Sequence, residues 1–201
     1  MRKIRDTLRF PSLYLFSQAI LGAKRARKRL IDEYAQPQPG MRVLDIGCGP
    51  GYVIEYLPKV EYYGFDVSSL YITYAKRKYG EQGAFYCQRF DAAVASELEP
   101  FDLILMAGLL HHLNDQEVSS LLELSKRAIK KTGSLVTLDP CYDRTQSPIA
   151  KFLLDRDRGH YIREADPYVA LASGVFRHVD FHVRDDLFFL PYTALVMVCR
   201  P

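Results

Sequence analysis

The sequence predicts an α/β fold, a doubly wound and mostly parallel sheet of seven strands, and three observations carry that expectation. Short apolar runs alternate with helical stretches from residue 41 onward. A glycine-rich turn follows the first of those runs. The last two runs succeed one another with no room for a helix between them, which is the signature of an antiparallel hairpin added to a sheet edge.

The elements follow in order. Leu13, Phe16, Ile20, Ala23, Ala26, Leu30 and Tyr34 recur at steps of three and four, the spacing of one helix face. AQPQPG (Ala35 to Gly40) breaks that helix. The chain thus divides into an N-terminal helical cap, 1–40, and a main domain, 41–201. MRVLDIGCGPG opens with a buried strand, EYYGFDV (Glu61 to Val67) is the second, and a helix from Ser69 to Tyr79 ends near Gly80. The third strand lies around Ala84 to Arg89, and PFDLILMAG (Pro100 to Gly108) is the fourth and most apolar. Asn114 or Asp115 then caps a helix carrying Val118, Leu121, Leu122, Leu124 and Ile129, with Gly133 expected to close it. SLVTLDP (Ser134 to Pro140) is the fifth strand. Residues 141–175, rich in charge and aromatics, interrupt the alternation and read as a variable, substrate-side insertion. His178 to Arg184 alternates Val179, Phe181 and Val183, and Leu187 to Cys199 completes the hairpin.

Composition bounds the function. The 201 residues include 27 Lys+Arg and 24 Asp+Glu, a net +3, and 48% are hydrophobic, which suits one globular domain and excludes disorder or a fibrous repeat. The basic character sits at one end: Met1 to Asp32 carries a net +7 and the remainder −4. Five cations on one helix (Lys24, Arg25, Arg27, Lys28, Arg29) read as a solvated face and argue little for nucleic acid. Cys48, Cys87, Cys141 and Cys199 lie far apart with no metal-ligand spacing, so free thiols, no metal and a cytoplasmic location are expected. No apolar run approaches the ~18 residues of a membrane span. MRKIRDTLR followed by FPSLYLFSQAILGA imitates a signal peptide, but Ser17 and Gln18 interrupt the apolar part and cations follow where cleavage would fall, so an amphipathic helix is the expectation.

Asp45, Gly47, Gly49 and Gly51 form D-x-G-x-G-x-G at the end of the first strand. Such a turn lets a ligand approach the backbone, with amides expected to point outward at the following helix. Asp66 ends the second strand, 21 residues later, where a carboxylate accepts both hydroxyls of a ribose. Asp66 also suits a helix cap before Ser68.

VLDIGCGPG, GFDVS, FDAA, FDLILMAGLLHHL and the closing hairpin together resemble the class I S-adenosylmethionine-dependent methyltransferases, from about Arg42 to Pro140 and again at the C-terminal strands. The resemblance implies S-adenosyl-L-methionine as cofactor and S-adenosyl-L-homocysteine as product. By position, it implies that Asp45, Gly47, Cys48 and Gly49 hold the methionine part, Asp66 the ribose, and Val67 and Ser68 the adenine face. Asp91 with Ala92 matches the acidic position that bonds the adenine amino group, and Met106, Ala107 and His111 line the cofactor near its sulfonium. Ala92 and Met106 are equally good packing residues, and Asp91 equally good as the start of a loop.

Methyl transfer needs alignment and exclusion of water more than a protein nucleophile. His111, His112 and His160 are the candidate general bases, although LHHL (Leu110 to Leu113) also reads as a structural turn. Tyr142, Tyr161 and Tyr168 offer faces for a sulfonium or a flat substrate, against a default of packing. Asp139-Pro140-Cys141-Tyr142 resembles nucleic-acid methylase motifs but follows the fifth strand instead of the fourth. A small-molecule acceptor is therefore expected over RNA. A nicotinamide dehydrogenase is disfavoured by G-x-G-x-G in place of G-x-G-x-x-G, and a non-catalytic cofactor-binding module with a basic arm is the remaining alternative. The sequence assigns no oligomeric state.

Overall fold

The structure, a computed structural model, describes residues 22–201. Leu13, Phe16 and Ile20, and with them most of the expected N-terminal helix, lie outside the described residues. Helix α1 (Ala23–Arg29) continues into a π-helical turn, Leu30–Ala35. Strand β1 (Arg42–Ile46) leads through the glycine turn into a single 3₁₀ segment, Tyr52–Tyr56. Then come β2 (Glu61–Asp66), α2 (Ser69–Tyr79), β3 (Ala84–Cys87), α3 (Ala92–Glu97) and β4 (Phe101–Ala107). A 3₁₀ turn, Leu110–His112, precedes α4 (Asp115–Ala128) and the long β5 (Ile129–Tyr142). The insertion folds as α5 (Pro148–Leu154), β6 (Arg163–Glu164) and α6 (Ala165–Ser173), before β7 (His178–Arg184) and β8 (Ala194–Arg200).

The sheet order is β3-β2-β1-β4-β5-β8-β7, parallel from β3 to β5 and closed by antiparallel β8 and β7. The two-residue β6 pairs with the end of β5, so the sheet has eight strands instead of the seven expected. Alternation within the strands explains the layers. Leu44, Ile104, Met106 and Leu135 face α4 and α6, where Val118, Leu122, Tyr168 and Ala172 meet them. Val43, Leu103, Leu105, Val136 and Val198 face the other side, against Ala26 and Leu30 of the N-terminal helix and Ile72 and Ala75 of α2. Both faces of a parallel strand are buried, which is why β4 reads as an unbroken apolar run. Each such Leu or Ile contributes about 1.5–3 kcal/mol by leaving water.

Gly133 does not close α4. The helix stops at Ala128 and the next residues join β4 at once, Phe101 opposite Ile129, with a register shift before Leu103 meets Ser134. Gly133 therefore lies inside β5, where a side chain would strike the carbonyl of Asp102. The N-terminus of α4 is fixed by a reciprocal capping box: Asn114 Oδ1 accepts from the Glu117 amide and Glu117 Oε2 from the Asn114 amide, both at 3.0 Å. The helix leads straight into β5, so loss of the cap is felt globally. Asn114→Ala is expected to lower the unfolding free energy by about 1 kcal/mol, read from a urea titration.

Candidate functional site

Strand order reverses between β1 and β4, and ligands of open α/β sheets bind outside the carboxyl ends of the strands flanking that reversal. Asp45 lies in β1 opposite Gly64 of β2 and Leu105 of β4, Asp66 opposite Cys87 of β3, and Ala107 opposite Leu138 of β5. The predicted residues of three strands, β1, β2 and β4, thus meet at one end of the sheet.

Gly47, Gly49 and Gly51 all adopt positive φ (74°, 55° and 77°), which a non-glycine residue reaches only with strain. The amides, however, do not point outward as the sequence suggested. Gly47 and Cys48 both donate to the Phe65 carbonyl, at 2.8 and 3.1 Å, Gly49 donates to Asp66 Oδ2 at 2.9 Å, and Gly51 to the Cys48 carbonyl at 3.0 Å. Pairing between β1 and β2 continues through the turn and consumes its donors. A pyrophosphate needs free amides; here the amides are taken and the carboxylates of Asp45 and Asp66 stand beside the turn, which suits a cation. Nothing lies within 4 Å of the place a Gly49 side chain would take, so its face is open.

Asp45 is buried, and Oδ2 accepts the Tyr62 hydroxyl at 2.6 Å. Burial pushes its carboxyl up to about 7 against that hydrogen bond, with the charge of Asp66 adding to the rise and that of Arg27 opposing it. Asp66, half-buried, accepts the Gly49 amide with one oxygen and the Ser68 amide at 2.7 Å with the other. Ser68 itself caps α2, its hydroxyl accepting from the Tyr71 amide, so Asp66 is not the cap. Two lone pairs of the Asp66 carboxylate remain for a ligand. Val67 is 67% exposed. Asp91 is exposed and caps α3 by accepting the Val94 amide at 3.0 Å, with Ala92 exposed beside it. Met106 is fully buried in the core, while Ala107 is half-buried at the strand end.

His111 is built into the structure on every side. Nδ1 lies 2.7 Å from Asp139 Oδ1, the backbone amide donates to the same oxygen at 3.1 Å, and Nε2 lies 3.4 Å from Asp157 Oδ1. Burial disfavours its charge, yet the two carboxylates prevail and hold its pKa at about 9. Asp157 in turn accepts the Gly159 amide (2.8 Å) and the Tyr192 hydroxyl (2.9 Å), and is held well below the usual carboxylate range in spite of its burial. The Tyr161 amide donates to the His111 carbonyl at 3.0 Å. Arg163 completes the docking, its guanidinium donating to the carbonyls of Leu110, Leu113 and Tyr161 and to Asp115 Oδ1. Asp157, Arg163 and Tyr192 carry no motif, Asp139 stands out in the sequence only as the start of Asp139-Pro140-Cys141-Tyr142, and its pairing with His111 across 28 residues left no sequence signal.

The ring of His112 lies tilted by 40° against that of His111, centroids 4.0 Å apart, and His112 and His160 are exposed. Tyr168 is buried beneath Arg163, Tyr142 donates to Asp155 Oδ1 at 3.0 Å with Lys151 over its ring, and Tyr161 is exposed. Two open surface grooves of about 540 and 520 Å³ lie at Ile31–Pro58 and along β7, and no residue of the glycine turn lines either. Among the described residues no helix is long and apolar enough to cross a membrane.

The folded pKa of His111, about 9, lies above the ordinary 6.5. Its charge therefore stabilises the fold fully below pH 6.5, and that contribution is lost as pH rises through 9. The stability difference between the wild type and His111→Gln is expected to shrink by about 1–3 kcal/mol between pH 6.5 and 9.5, measured by denaturant unfolding.

Residues 43–133 match the model of a family described as methyltransferase domain. The cyclopropane-fatty-acyl-phospholipid synthase of Escherichia coli K12 is 28% identical over 116 residues, which cover 55% of this chain and 29% of that protein. A ubiquinone biosynthesis O-methyltransferase of Chelativorans is 34% identical over 85 residues, 40% of this chain and 34% of that one. The chain thus spans about a third of the length of these relatives. A TehB-like S-adenosylmethionine-dependent methyltransferase of Corynebacterium glutamicum superposes with a TM-score of 0.59 at 21% identity, covering 87% of this chain and 86% of that one, and shares the fold. With the strand order and the glycine turn already described, these likenesses show a match to a methyltransferase domain over residues 43–133 and a fold shared with a solved S-adenosylmethionine-dependent methyltransferase.

Proposed function

We propose that this protein is an enzyme that transfers a methyl group from S-adenosylmethionine to a small-molecule acceptor in the cytoplasm. The observation that carries the reading is the glycine turn whose donors are consumed internally, leaving the carboxylates of Asp45 and Asp66 at the ligand end of the sheet. That set fits a cationic cofactor with a ribose and offers nothing to a pyrophosphate.

In this reading Asp45 and the turn Gly47, Cys48 and Gly49 hold the methionine part, Asp66 accepts the ribose hydroxyls, and Val67, Ser68, Asp91 and Ala92 surround the adenine. Ala107 and the backbone of Met106 and His111 line the reacting end. When bound, S-adenosylmethionine supplies an electrophilic methyl on a sulfonium sulfur. The chain's own part is to align an acceptor in line with that bond and to keep water out. Residues 1–40 act as the helical cap over the cofactor, and 141–175 form the acceptor side of the 41–201 domain. His111 positions that side: both its ring nitrogens face carboxylates, so it is not free to take a proton from the acceptor. His112 and His160, exposed beside it, are the proton acceptors left among the three candidates. The free cysteines Cys48, Cys87, Cys141 and Cys199 support a reducing compartment.

Calorimetric titration with S-adenosylmethionine, S-adenosylhomocysteine and NAD in parallel tests the reading. Binding of the two adenosyl compounds and not of NAD is expected; the reverse would overturn it. Asp66→Ala is expected to weaken S-adenosylmethionine binding at least tenfold, because it removes charge-assisted hydrogen bonds of about 1.5–3 kcal/mol each. A folded variant with unchanged affinity would remove Asp66 from the site.

A pH dependence follows from Asp45. Its pKa of about 7 stands above the ordinary carboxyl value, so the negative charge that attracts a cation is lost as pH falls through 7. Affinity for S-adenosylmethionine is expected to be about fivefold weaker at pH 6 than at pH 7, and Asp45→Asn should bind weakly at both.

A further inference from the structure

The two edges of the sheet are built differently. At one edge β3 has only four residues, too short to template a neighbour over any length. At the other, among the described residues, lies β7, seven residues paired with β8 in unbroken register from His178 opposite Arg200 to Arg184 opposite Ala194. Its outer row of amides and carbonyls faces no further described strand. The devices that usually protect an edge are missing, since no Lys, no Pro and no bulge interrupts HVDFHVR. Its charges are engaged by its own chain: Asp180 by Arg200 at 2.7 Å, and Arg184 by Glu33 and Asp186 at 2.9 and 2.7 Å. The apolar alternation is only partly used. Val179 packs against the core, whereas Phe181 and Val183, on the same face of the strand, are 45% and 38% exposed. A regular strand with an open edge and a half-covered apolar face is a template for one more antiparallel strand.

The residues of β7 specify which strand suits it. About a two-fold axis perpendicular to the sheet, one copy of β7 meets another antiparallel, with the residue on the axis opposite its own counterpart. Centring on Asp180 sets two carboxylates face to face, and centring on His182 two imidazoles. Centring on Val183 sets Phe181 against Asp185, and on Val179 leaves Val183 beyond the pairing. Centring on Phe181 sets the two Phe181 rings opposite each other, Val179 opposite Val183 and Asp180 opposite His182. Both exposed apolar side chains then gain apolar neighbours, and the acid gains an imidazole.

We propose that this protein forms a two-fold dimer in which β7 pairs with β7 of a second copy, centred on Phe181, so that one sheet runs through both copies. In the sheet order β5 and β8 lie between β7 and the reversal at β1 and β4, so each copy keeps its own ligand end.

Sedimentation velocity over a concentration series is expected to show a monomer–dimer equilibrium. Phe181→Lys, which sets two ammonium groups at the axis, should weaken it at least tenfold while leaving the circular dichroism spectrum unchanged. The register is read by cross-linking. Directly opposite residues stand about 4.5–5.5 Å apart at Cα, within the span of a disulfide. In a Cys87→Ser background, which removes the exposed thiol, Phe181→Cys is expected to give a disulfide-linked dimer under mild oxidation. His178→Cys, about 20 Å from its counterpart in this register, is not. A chain that stays monomeric throughout, a dimer indifferent to Phe181→Lys, no linkage through Phe181→Cys, or equal linkage through His178→Cys overturns the proposal. Hydrogen exchange separates the other occupant of the edge: β7 amides that stay protected in a monomer assign it to residues 1–21 and exclude the pairing.

Discussion

The hydrogen bonds that β2 extends to the turn after β1 determine what this end of the molecule offers a ligand. The carbonyl of Phe65 accepts two consecutive amides, and the carboxylate of Asp66 takes the next one while its other oxygen holds the Ser68 amide at the start of α2. One strand end therefore fixes the glycine turn and aims the following helix. The polarity of the site follows: with the donors turned inward, the carboxylates of Asp45 and Asp66 dominate this end of the sheet, and a glycine turn of the kind that elsewhere cradles phosphates becomes suited to a positive charge.

The opposite wall is organised by a different constraint, the burial of a charged histidine. His111 carries its proton between Asp139, at the end of β5, and Asp157, in the insertion after α5. Three elements distant in sequence are joined at one imidazole, and Tyr192 adds the loop before β8 through Asp157. Breaking either partner would leave a buried charge unmatched, which costs several kcal/mol. Arg163 closes the same contact from outside by collecting three carbonyls of the neighbouring turns. The insertion is thus docked against the strand ends by buried and charge-assisted contacts.

Much of this was legible in the sequence, and the reasons differ by region. The strands were readable because a doubly covered parallel sheet forces apolar residues onto both faces, as in β4. The positions of Asp45 and Asp66 were readable because strand ends and glycines announce them. The direction of the turn's amides was not, since glycine spacing reports a tight turn and leaves open which carbonyl receives each donor. Gly133 misled because a helix stop and a close approach between strands both select glycine. Asp139 and Asp157 were illegible because their significance lies in a meeting across the fold that has no periodicity.

The basic N-terminal segment illustrates how pairing alters the meaning of charge. As a count, five cations in six residues suggest a surface for an anionic polymer. In the fold, Lys28 and Arg29 answer Asp32, Glu33 and Asp186, Arg184 reaches back to Glu33, and Arg25 and Arg27 lie over aromatic rings. The helix is thereby tied to the loop between β7 and β8 on one side and to the glycine turn on the other. Cations engaged in this way are poorly placed to release counterions along a phosphate backbone, and well placed to fix a short helix against the glycine turn.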